Sequence, residues 1–489
     1  MSSVKGNVIL NALNTVSGIL FPIITFPYAA RVVLPEGIGA VNFLTSIVNY
    51  IILLTSLGIP MYAVKEIAKY RDDPVRRDTI TVEILLLSLM LSAVGYVGVV
   101  FLAAFVPQIH AQAGLFYVLS LSILFTALGV NWFYQGIEDF KFITVRAIVI
   151  RVVSALALFL LVKSPDDLLM YGIVTVISTV GNNLVNIIHL RRYVHFRTVT
   201  FGSLNIMRHT RPVLQVFVLN LITSLYVQLN SIMLGFMSGD EAVGFFTAGN
   251  KIVHVALMLI TSAGAVLLPR CSHLIKCGDT EGFAKIINKS LNLAVGLSLP
   301  IMAGLMILAV PVTLAFCGPE FIDTIPVLYW TSPVILFISL TNIIGIQVLY
   351  PQDKVGLVIL SVSGGALVNI VLNVIMIPPL GALGAAIPTF MAELAVLVIQ
   401  LIVGWRYCPF DLHQLGLRRY TVATMAMSAV LVGVMWLVDG AFWQLCTGIV
   451  AGVSVYALTL FQLKDPLFIE LLGYVGRGAD YFKKHRHES

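Results

Sequence analysis

One apolar stretch in the middle of the chain carries residues that could bind an anion. Between Glu241 and Arg270 the only formally charged residue is Lys251, with Asn250 beside it and His254 three positions later. A helix of about 20 residues crosses a bilayer, and residues three apart share a helix face, so the lysine and the histidine point the same way. An ammonium in hydrocarbon is costly unless it faces a wet cavity or a partner. The stretch therefore predicts a cavity for an anionic group, with a lysine reaching the surface or paired to a buried carboxylate as the alternative.

Four other ionisable residues fall within or at the ends of apolar stretches. Arg151 lies inside one, Glu393 near the middle of another, Glu83 near the inner end of a third and Arg31 at the outer end of the first. Such residues are rare in membranes and mark substrate paths or proton relays. Arg151 and Lys251 together would suit a phosphate group. Glu393 and Glu83 are candidates for a coupling proton or for a fixed ion pair with a cation. For Glu83 and Arg31 the alternative is a position at the membrane interface.

The elements that must position these residues are membrane helices. The chain has 489 residues, of which 58% are hydrophobic and only 11% are charged, whereas soluble domains carry about 25% charged residues. Apolar runs of membrane-spanning length recur throughout, which predicts an all-α polytopic membrane protein. We predict 14 spans, at about 7–31, 37–60, 80–106, 112–135, 143–163, 168–190, 212–235, 243–269, 288–316, 324–350, 355–377, 381–404, 417–438 and 441–462.

The distribution of basic residues predicts the orientation. If the N-terminus is cytoplasmic, all but four of the 30 lysines and arginines lie on the cytoplasmic side, and only Arg31 and Lys163 lie outside. This asymmetry follows the positive-inside rule and places both termini in the cytoplasm. The first apolar stretch lacks a cleavage pattern after it, so we expect it to remain as the first span.

A weak internal repeat predicts the arrangement of the spans. Leu34-Pro-Glu-Gly-Ile-Gly39 joins the first two spans, and Gly239-Asp-Glu-Ala-Val-Gly244 joins the seventh and eighth. Six spans separate the two copies, which predicts two parallel six-helix lobes with a cargo site between them. The predicted domains are an N-lobe, a C-lobe, an additional pair of spans and a cytoplasmic amphipathic tail, at 1–198, 199–410, 411–462 and 463–489.

Motifs for enzymatic, metal or nucleic-acid chemistry are missing from the sequence. It contains no P-loop, HExxH or GxSxG, and its five cysteines are scattered without a metal-ligand spacing. We therefore expect no enzymatic activity, no metal, no cofactor and no nucleic-acid partner. Any active transport must then use an ion gradient, the membrane potential or the cargo gradient.

Several motifs resemble those of the polysaccharide repeat-unit flippases (Wzx type, for O-antigen and capsule) of the multidrug/oligosaccharidyl-lipid/polysaccharide exporter superfamily. The first hairpin, Pro27-Tyr-Ala-Ala-Arg31 followed by Leu34–Gly39, is similar to theirs. Asn131-Trp-Phe-Tyr-Gln-Gly136 looks like the signature after their fourth span, and Gly381-Ala-Leu-Gly-Ala-Ala386 with Glu393 resembles their twelfth span. The likeness extends over nearly the whole chain.

This resemblance implies two six-helix lobes in a V, with a central cationic cavity that opens alternately to each side. The implied cargo is an undecaprenyl-pyrophosphate-linked oligosaccharide, flipped from the cytoplasmic to the outer leaflet of a bacterial inner membrane. The family's cavity cations correspond to Lys251 and Arg151, and Arg31 matches a motif arginine. The last two spans are similar to an extra pair in lipid II flippases, where that pair forms a groove for the lipid tail. Membrane lipid, a polysaccharide polymerase and chain-length machinery are the implied partners of a monomer.

Three alternatives remain open at the level of sequence. An ion-coupled drug/cation antiporter of the same superfamily would favour a cavity dominated by carboxylates. A membrane polysaccharide polymerase would need substantial outward loops, whereas the outward connections predicted here are short. A scaffold or receptor that transports nothing would not need buried charges.

Overall fold

The computed structural model describes residues 4–195, 199, 202, 204–409, 415–470 and 473. Every regular element among these residues is helical, because a backbone inside a bilayer must satisfy its own hydrogen bonds. The predicted amphipathic tail helix falls mostly on residues 471, 472 and 474–489, which lie outside the description.

The chain divides into two compact units, with the boundary between Thr247 and Ala248. This boundary falls inside a helix, α10, because α9 and the start of α10 pack on α1. The lobes predicted from the repeat, 1–198 and 199–410, stay a prediction. The helices of the first unit, including α10, are α1 (Val4–Ser56), α2 (Ile59–Lys69), α3 (Pro74–Phe105), α4 (Pro107–His110), α5 (Ala113–Ala127), α6 (Asn131–Gly136), α7 (Phe140–Leu161), α8 (Leu168–Leu190), α9 (Met207–Ser238) and α10 (Asp240–Lys276).

In the second unit, α15 and α16 pack closely, as do α17 and α18, and α11 contacts both α14 and α17. A π-helical turn at Ile343–Leu349 follows α14. The helices of this unit after α10 are α11 (Thr280–Ile307), α12 (Ala309–Phe316), α13 (Thr324–Thr331), α14 (Val334–Asn342), α15 (Val355–Leu380), α16 (Leu383–Gly404), α17 (Leu417–Leu437) and α18 (Ala441–Gln462).

These helices confirm the predicted all-α, multi-span fold. Among the described residues, 11 helical segments are long and apolar enough to cross a membrane. One of them, in α1, contains two predicted spans on either side of a break at Leu34. That set does not include α9 and α10, because some side chains in the middle of each helix are not described. All 14 predicted spans fall on helices of the structure.

The two turns of the internal repeat share an unusual backbone conformation. Leu34 has φ 64° and ψ 171°, which interrupts α1 just before Pro35. Gly239, at the equivalent position of the second copy, has φ 84° and ψ 177° and separates α9 from α10. A left-handed φ is costly for leucine and easy for glycine. Because two such different residues share this conformation at equivalent positions, the backbone geometry supports the repeat independently of residue identity.

These two turns also pack against each other within the first unit. A Cβ added at Gly39 would lie 1.6 Å from the carbonyl oxygen of Asp240, and one at Gly244 would lie 2.0 Å from that of Pro35. Gly39 corresponds to Gly244 in the repeat, and Pro35 corresponds to Asp240. The contact is therefore reciprocal, as expected for two copies related by a two-fold axis.

Candidate functional site

Arg151 lies in α7 with its side chain directed at α1. Its Nη1 donates to the backbone oxygen and to Oδ1 of Asn14, each at 3.0 Å, and also to Oγ of Ser17. A Cβ at Gly18 would lie 3.4 Å from Nη2, so the small residue lets the guanidinium lie close to the helix. All three acceptors are neutral, and these contacts position the cation without neutralising it.

Arg31 lies in α1, three residues before the break at Leu34, and its side chain is exposed. The nearby Tyr28 hydroxyl donates to the backbone oxygen of Val162 at 2.7 Å, which fixes this end of α1 to the end of α7. The position of Arg31 at the outer end of a membrane span stays a prediction.

Lys251, Asn250 and His254 lie in the part of α10 that belongs to the second unit. Lys251 and Asn250 are partly buried and His254 is exposed. The helix is continuous from Asp240 to Lys276, so the lysine and the histidine are separated by about one turn, as the spacing predicts.

Glu393 is buried in α16, with 9% of its surface exposed. Elsewhere in the second unit, an apolar groove of about 400 Å³ follows α11, α17 and α18. Gly304, Gly448 and Gly452 are among its lining residues, and their small size keeps the groove open.

Glu83 is 1% exposed and forms a bonded cluster with the start of α9. Its carboxylate accepts from the backbone N–H of Asn205 at 2.6 Å, from the Arg208 guanidinium and from His209 Nε2 at 2.8 Å. The Tyr62 hydroxyl lies 2.7 Å from His209 Nδ1. Burial raises the pKa of Tyr62 to about 12, so its hydroxyl keeps its proton and can donate to that nitrogen.

One buried cation was not among the residues singled out from the sequence. Arg146, in α7, is 7% exposed, and its Nη2 donates to Asn131 Oδ1 at 2.9 Å. Its guanidinium carbon lies 5.3 Å from the centre of the Phe142 ring. Nε and Nη1 have no hydrogen-bond partner among the described residues. The sequence does contain a signal for Arg146, because the residue falls inside the predicted fifth span, 143–163. The charge distribution, however, groups it with the basic residues of the cytoplasmic loops.

The structure brings only some of the predicted residues together. Asn250, Lys251 and His254 share one helix, whereas Glu83 is bonded to Arg208 and His209, and Arg151 is bonded to α1. In the part of the chain that the structure describes, no group of three or more His, Cys, Asp or Glu could hold a metal ion.

Comparison with known families gives one match that covers more than half of the chain. Residues 4–275 match the family described as "Polysaccharide biosynthesis protein". The matched region includes α1 to α9 and almost all of α10. It therefore contains these predicted site residues: Arg31, Glu83, Arg151, Asn250, Lys251 and His254.

Individual relatives extend the likeness beyond that region. A "Putative O-antigen transporter" of Escherichia coli (strain K12) is 28% identical over 412 residues, which cover 82% of this chain and 96% of the relative. Among solved structures, "Lipid II flippase MurJ, inward closed conformation" has a TM-score of 0.73 at 16% identity, covering 94% of this chain and 99% of that one. An inward-facing multidrug resistance MATE family transporter of the MOP superfamily has a TM-score of 0.63 at 15% identity, covering 81% and 94%. At these identities the two structures establish the fold alone.

Proposed function

Because the chain belongs to the polysaccharide biosynthesis protein family, we propose that it flips lipid-linked oligosaccharide repeat units across a membrane for surface polysaccharide assembly. The observation that carries the proposal is the likeness to the O-antigen transporter, which extends over nearly all of that protein. The resemblance found in the sequence motifs is thereby confirmed, and the chain is a multi-pass membrane protein. The drug/cation antiporter is not favoured.

Two partly buried cations, Arg151 of the first unit and Lys251 of the second, support an anionic cargo. In the proposal, Arg151 and Lys251 bind the pyrophosphate, because a guanidinium and an ammonium both stabilise phosphate oxygens. Arg151 is already held by the neutral groups of Asn14 and Ser17, so its charge is available to a ligand. Arg31, His254 and Asn250 are proposed to contact the cargo near these cations. Glu393 and Glu83 are proposed for proton coupling or for ion pairing.

Further details of the proposal concern the lipid and the setting. The cargo is an undecaprenyl-pyrophosphate oligosaccharide, moved by alternating access from the cytoplasmic to the outer leaflet of a bacterial inner membrane. Both termini are cytoplasmic, and the protein acts as a monomer, alongside a polysaccharide polymerase and chain-length machinery. The prenyl chain stays in lipid, and the apolar groove along α11, α17 and α18 would offer it a surface. No catalytic step is involved.

A substitution at Lys251 tests the role of the buried cation. We expect Lys251→Ala to abolish surface polysaccharide in a flippase-null strain while the protein remains in the membrane, and Lys251→Arg to retain part of the activity. Lys276→Ala is a matched control, since Lys276 is an exposed lysine at the end of the same helix. Full complementation by Lys251→Ala would show that the pyrophosphate does not depend on this residue.

A further inference from the structure

The first unit contains a polar pocket of about 270 Å³ that the proposed function does not use. It lies where the end of α1 and the start of α2 meet α3, α5, α6 and α8. Small-molecule sites usually measure roughly 300–1,000 Å³, so this pocket is too small for a whole oligosaccharide and suits a single ring.

The lining of the pocket matches an uncharged polyol. Three amides face it, from Asn131, Gln135 and Asn183, together with hydroxyl groups that include those of Thr55, Ser88 and Thr126. Among the described residues that line it, none carries a formal charge. The amides can both donate and accept hydrogen bonds, and each sugar hydroxyl needs both a donor and an acceptor. The hydroxyls of Thr55 and Ser88 donate to the backbone oxygens of Ile51 and Ile84, so towards a ligand they act as acceptors. Trp132 also lines the pocket, and with 4% of its surface exposed it can present part of its ring to the C–H groups of a sugar.

Two features hold the amides in place before a ligand arrives. Arg146 donates to Asn131 Oδ1, which occupies the acceptor end of that amide and leaves its Nδ2 hydrogens for a ligand. Gly129 gives Asn183 its position, because a Cβ at 129 would lie 2.5 Å from the Asn183 side-chain carbon. Preorganised donors of this kind reduce the cost of binding.

We infer that this pocket is a subsite for one neutral pyranose ring of the lipid-linked oligosaccharide, with Arg146 as a positioning residue for Asn131. The inference rests on the proposed function and adds a site that selects the sugar. The pocket borders α2, which leads into the basic segment Lys65–Arg77 on the proposed cytoplasmic face. A ring bound there would be selected on the side where the cargo is loaded.

The fluorescence of Trp132 provides a direct test. Replacing Trp330, Trp405, Trp436 and Trp443 by phenylalanine leaves Trp132 as the only tryptophan of the five. The purified full-length protein is titrated with the methyl glycosides of glucose, galactose and N-acetylglucosamine. A further titration uses the lipid-free repeat-unit oligosaccharide obtained from the producing strain. We expect a saturable change with at least one of these probes.

Variants of the lining amides decide whether the change arises in the pocket. Gln135→Leu, at an exposed side chain, and Asn183→Leu should each weaken binding by about tenfold, the effect of losing one good hydrogen bond. Asn182→Leu is the matched control, since Asn182 is the adjacent asparagine and does not line the pocket. The absence of saturable binding with every probe, or equal binding by all three variants, would overturn the inference.

A parallel flipping assay in vesicles separates the two claims. Flipping of a labelled polyprenyl-pyrophosphate sugar without glycoside binding would refute the subsite and leave the proposed function standing. Glycoside binding without flipping by the unsubstituted protein would refute the proposed function and retain a sugar site.

Discussion

Glu83 and Arg146 are both buried in the first unit, yet their surroundings give them different roles. Glu83 accepts hydrogen bonds from a guanidinium, an imidazole and a backbone N–H. Arg146 donates to a single neutral amide oxygen, and two of its nitrogens have no partner among the described residues. A buried charge is tolerated when paired and is costly when it is not. We therefore interpret Glu83 as a structural residue and Arg146 as one retained for binding.

Replacing Glu83 with glutamine should lower stability without changing the pH dependence of flipping. The substitution removes the negative charge that Arg208 and His209 contact, and charge-assisted hydrogen bonds contribute roughly 2 kcal/mol each. We expect a lower thermal midpoint in detergent, with Asp72→Asn as the control because the Asp72 side chain is 98% exposed. If Glu83 instead carries a coupling proton, Glu83→Gln will shift the pH profile of flipping in vesicles, which would contradict the structural role.

Replacing Arg146 with methionine should weaken sugar binding without lowering stability, the opposite of the result expected for Glu83→Gln. The cost of burying an unneutralised cation disappears, so the thermal midpoint in detergent should stay the same or rise. Asn131 loses the bond that fixes its amide, so glycoside binding measured through Trp132 should weaken by about tenfold. Arg146→Lys should retain part of the binding, since an ammonium can still donate to Asn131 Oδ1. A large drop in stability for Arg146→Met would show that the arginine is a structural residue.

At the scale of elements, the two turns of the internal repeat are in direct backbone contact. The turns Leu34–Gly39 and Gly239–Gly244 meet through glycines that no larger residue can replace without moving the backbone. The side chain of Gln112 donates to Asp240, which attaches the connection before α5 to the same place.

Gly39→Ala should force the two turns apart. Its Cβ would lie 1.6 Å from the Asp240 carbonyl oxygen, a separation that no folded protein tolerates. In a protein without native cysteines, Ala40→Cys reports on the turn because Ala40 is only 2% exposed. We expect its labelling by a maleimide to increase several-fold when Gly39→Ala is added, and flipping to slow.

The control for this experiment is Gly98→Ala in α3, where an added Cβ would have no atom within 4 Å. It should leave the labelling of Ala40→Cys unchanged, and alanine favours a helix over glycine by about 1 kcal/mol. Equal labelling in the two variants would show that the turns are not held together by this contact in the membrane.

Local sequence patterns predicted much of the fold, but they could not predict contacts between residues that are far apart in the sequence. Hydropathy placed all 14 spans on helices, and glycine spacing identified the repeat turns. The sequence could not show that those turns touch each other, since about 200 positions separate Gly39 from Asp240. The same limit applies to Glu83, whose partners Arg208 and His209 belong to what the sequence presents as a cytoplasmic loop.

For the site, the sequence identified charges by their rarity, and it gave Asn131 and Gln135 only as parts of a motif and not as residues of a pocket. Arg151 and Lys251 attract attention because an ionisable residue in an apolar run has a high cost. Asn131, Gln135 and Asn183 come from two separate helices, α6 and α8, and form one pocket only after those helices pack. Single amides in membrane helices are common as interhelical contacts, so their types alone do not indicate a binding site.

At the scale of the whole molecule, the distribution of basic residues predicts which face of the proposed flippase loads the cargo. All but four of the 30 lysines and arginines fall on one side when 14 spans are counted, and omitting any one span would move every later cluster to the other side. Lys and Arg are retained in the cytoplasm during insertion, so this side should be cytoplasmic. The side matters for the mechanism, because the polar pocket next to α2 serves as a loading site only if it faces the cytoplasm.

Single cysteines in a protein without native cysteines test the orientation. Asp72→Cys lies in the connection between α2 and α3, where the native side chain is 98% exposed, and Asp166→Cys lies at an exposed position between α7 and α8. We expect a membrane-impermeant maleimide to label Asp166→Cys in intact spheroplasts and to label Asp72→Cys only after lysis. The reverse pattern would place the pocket and the basic segment Lys65–Arg77 outside. The sugar subsite would then face the side where the cargo is released, and its proposed role in loading would be wrong.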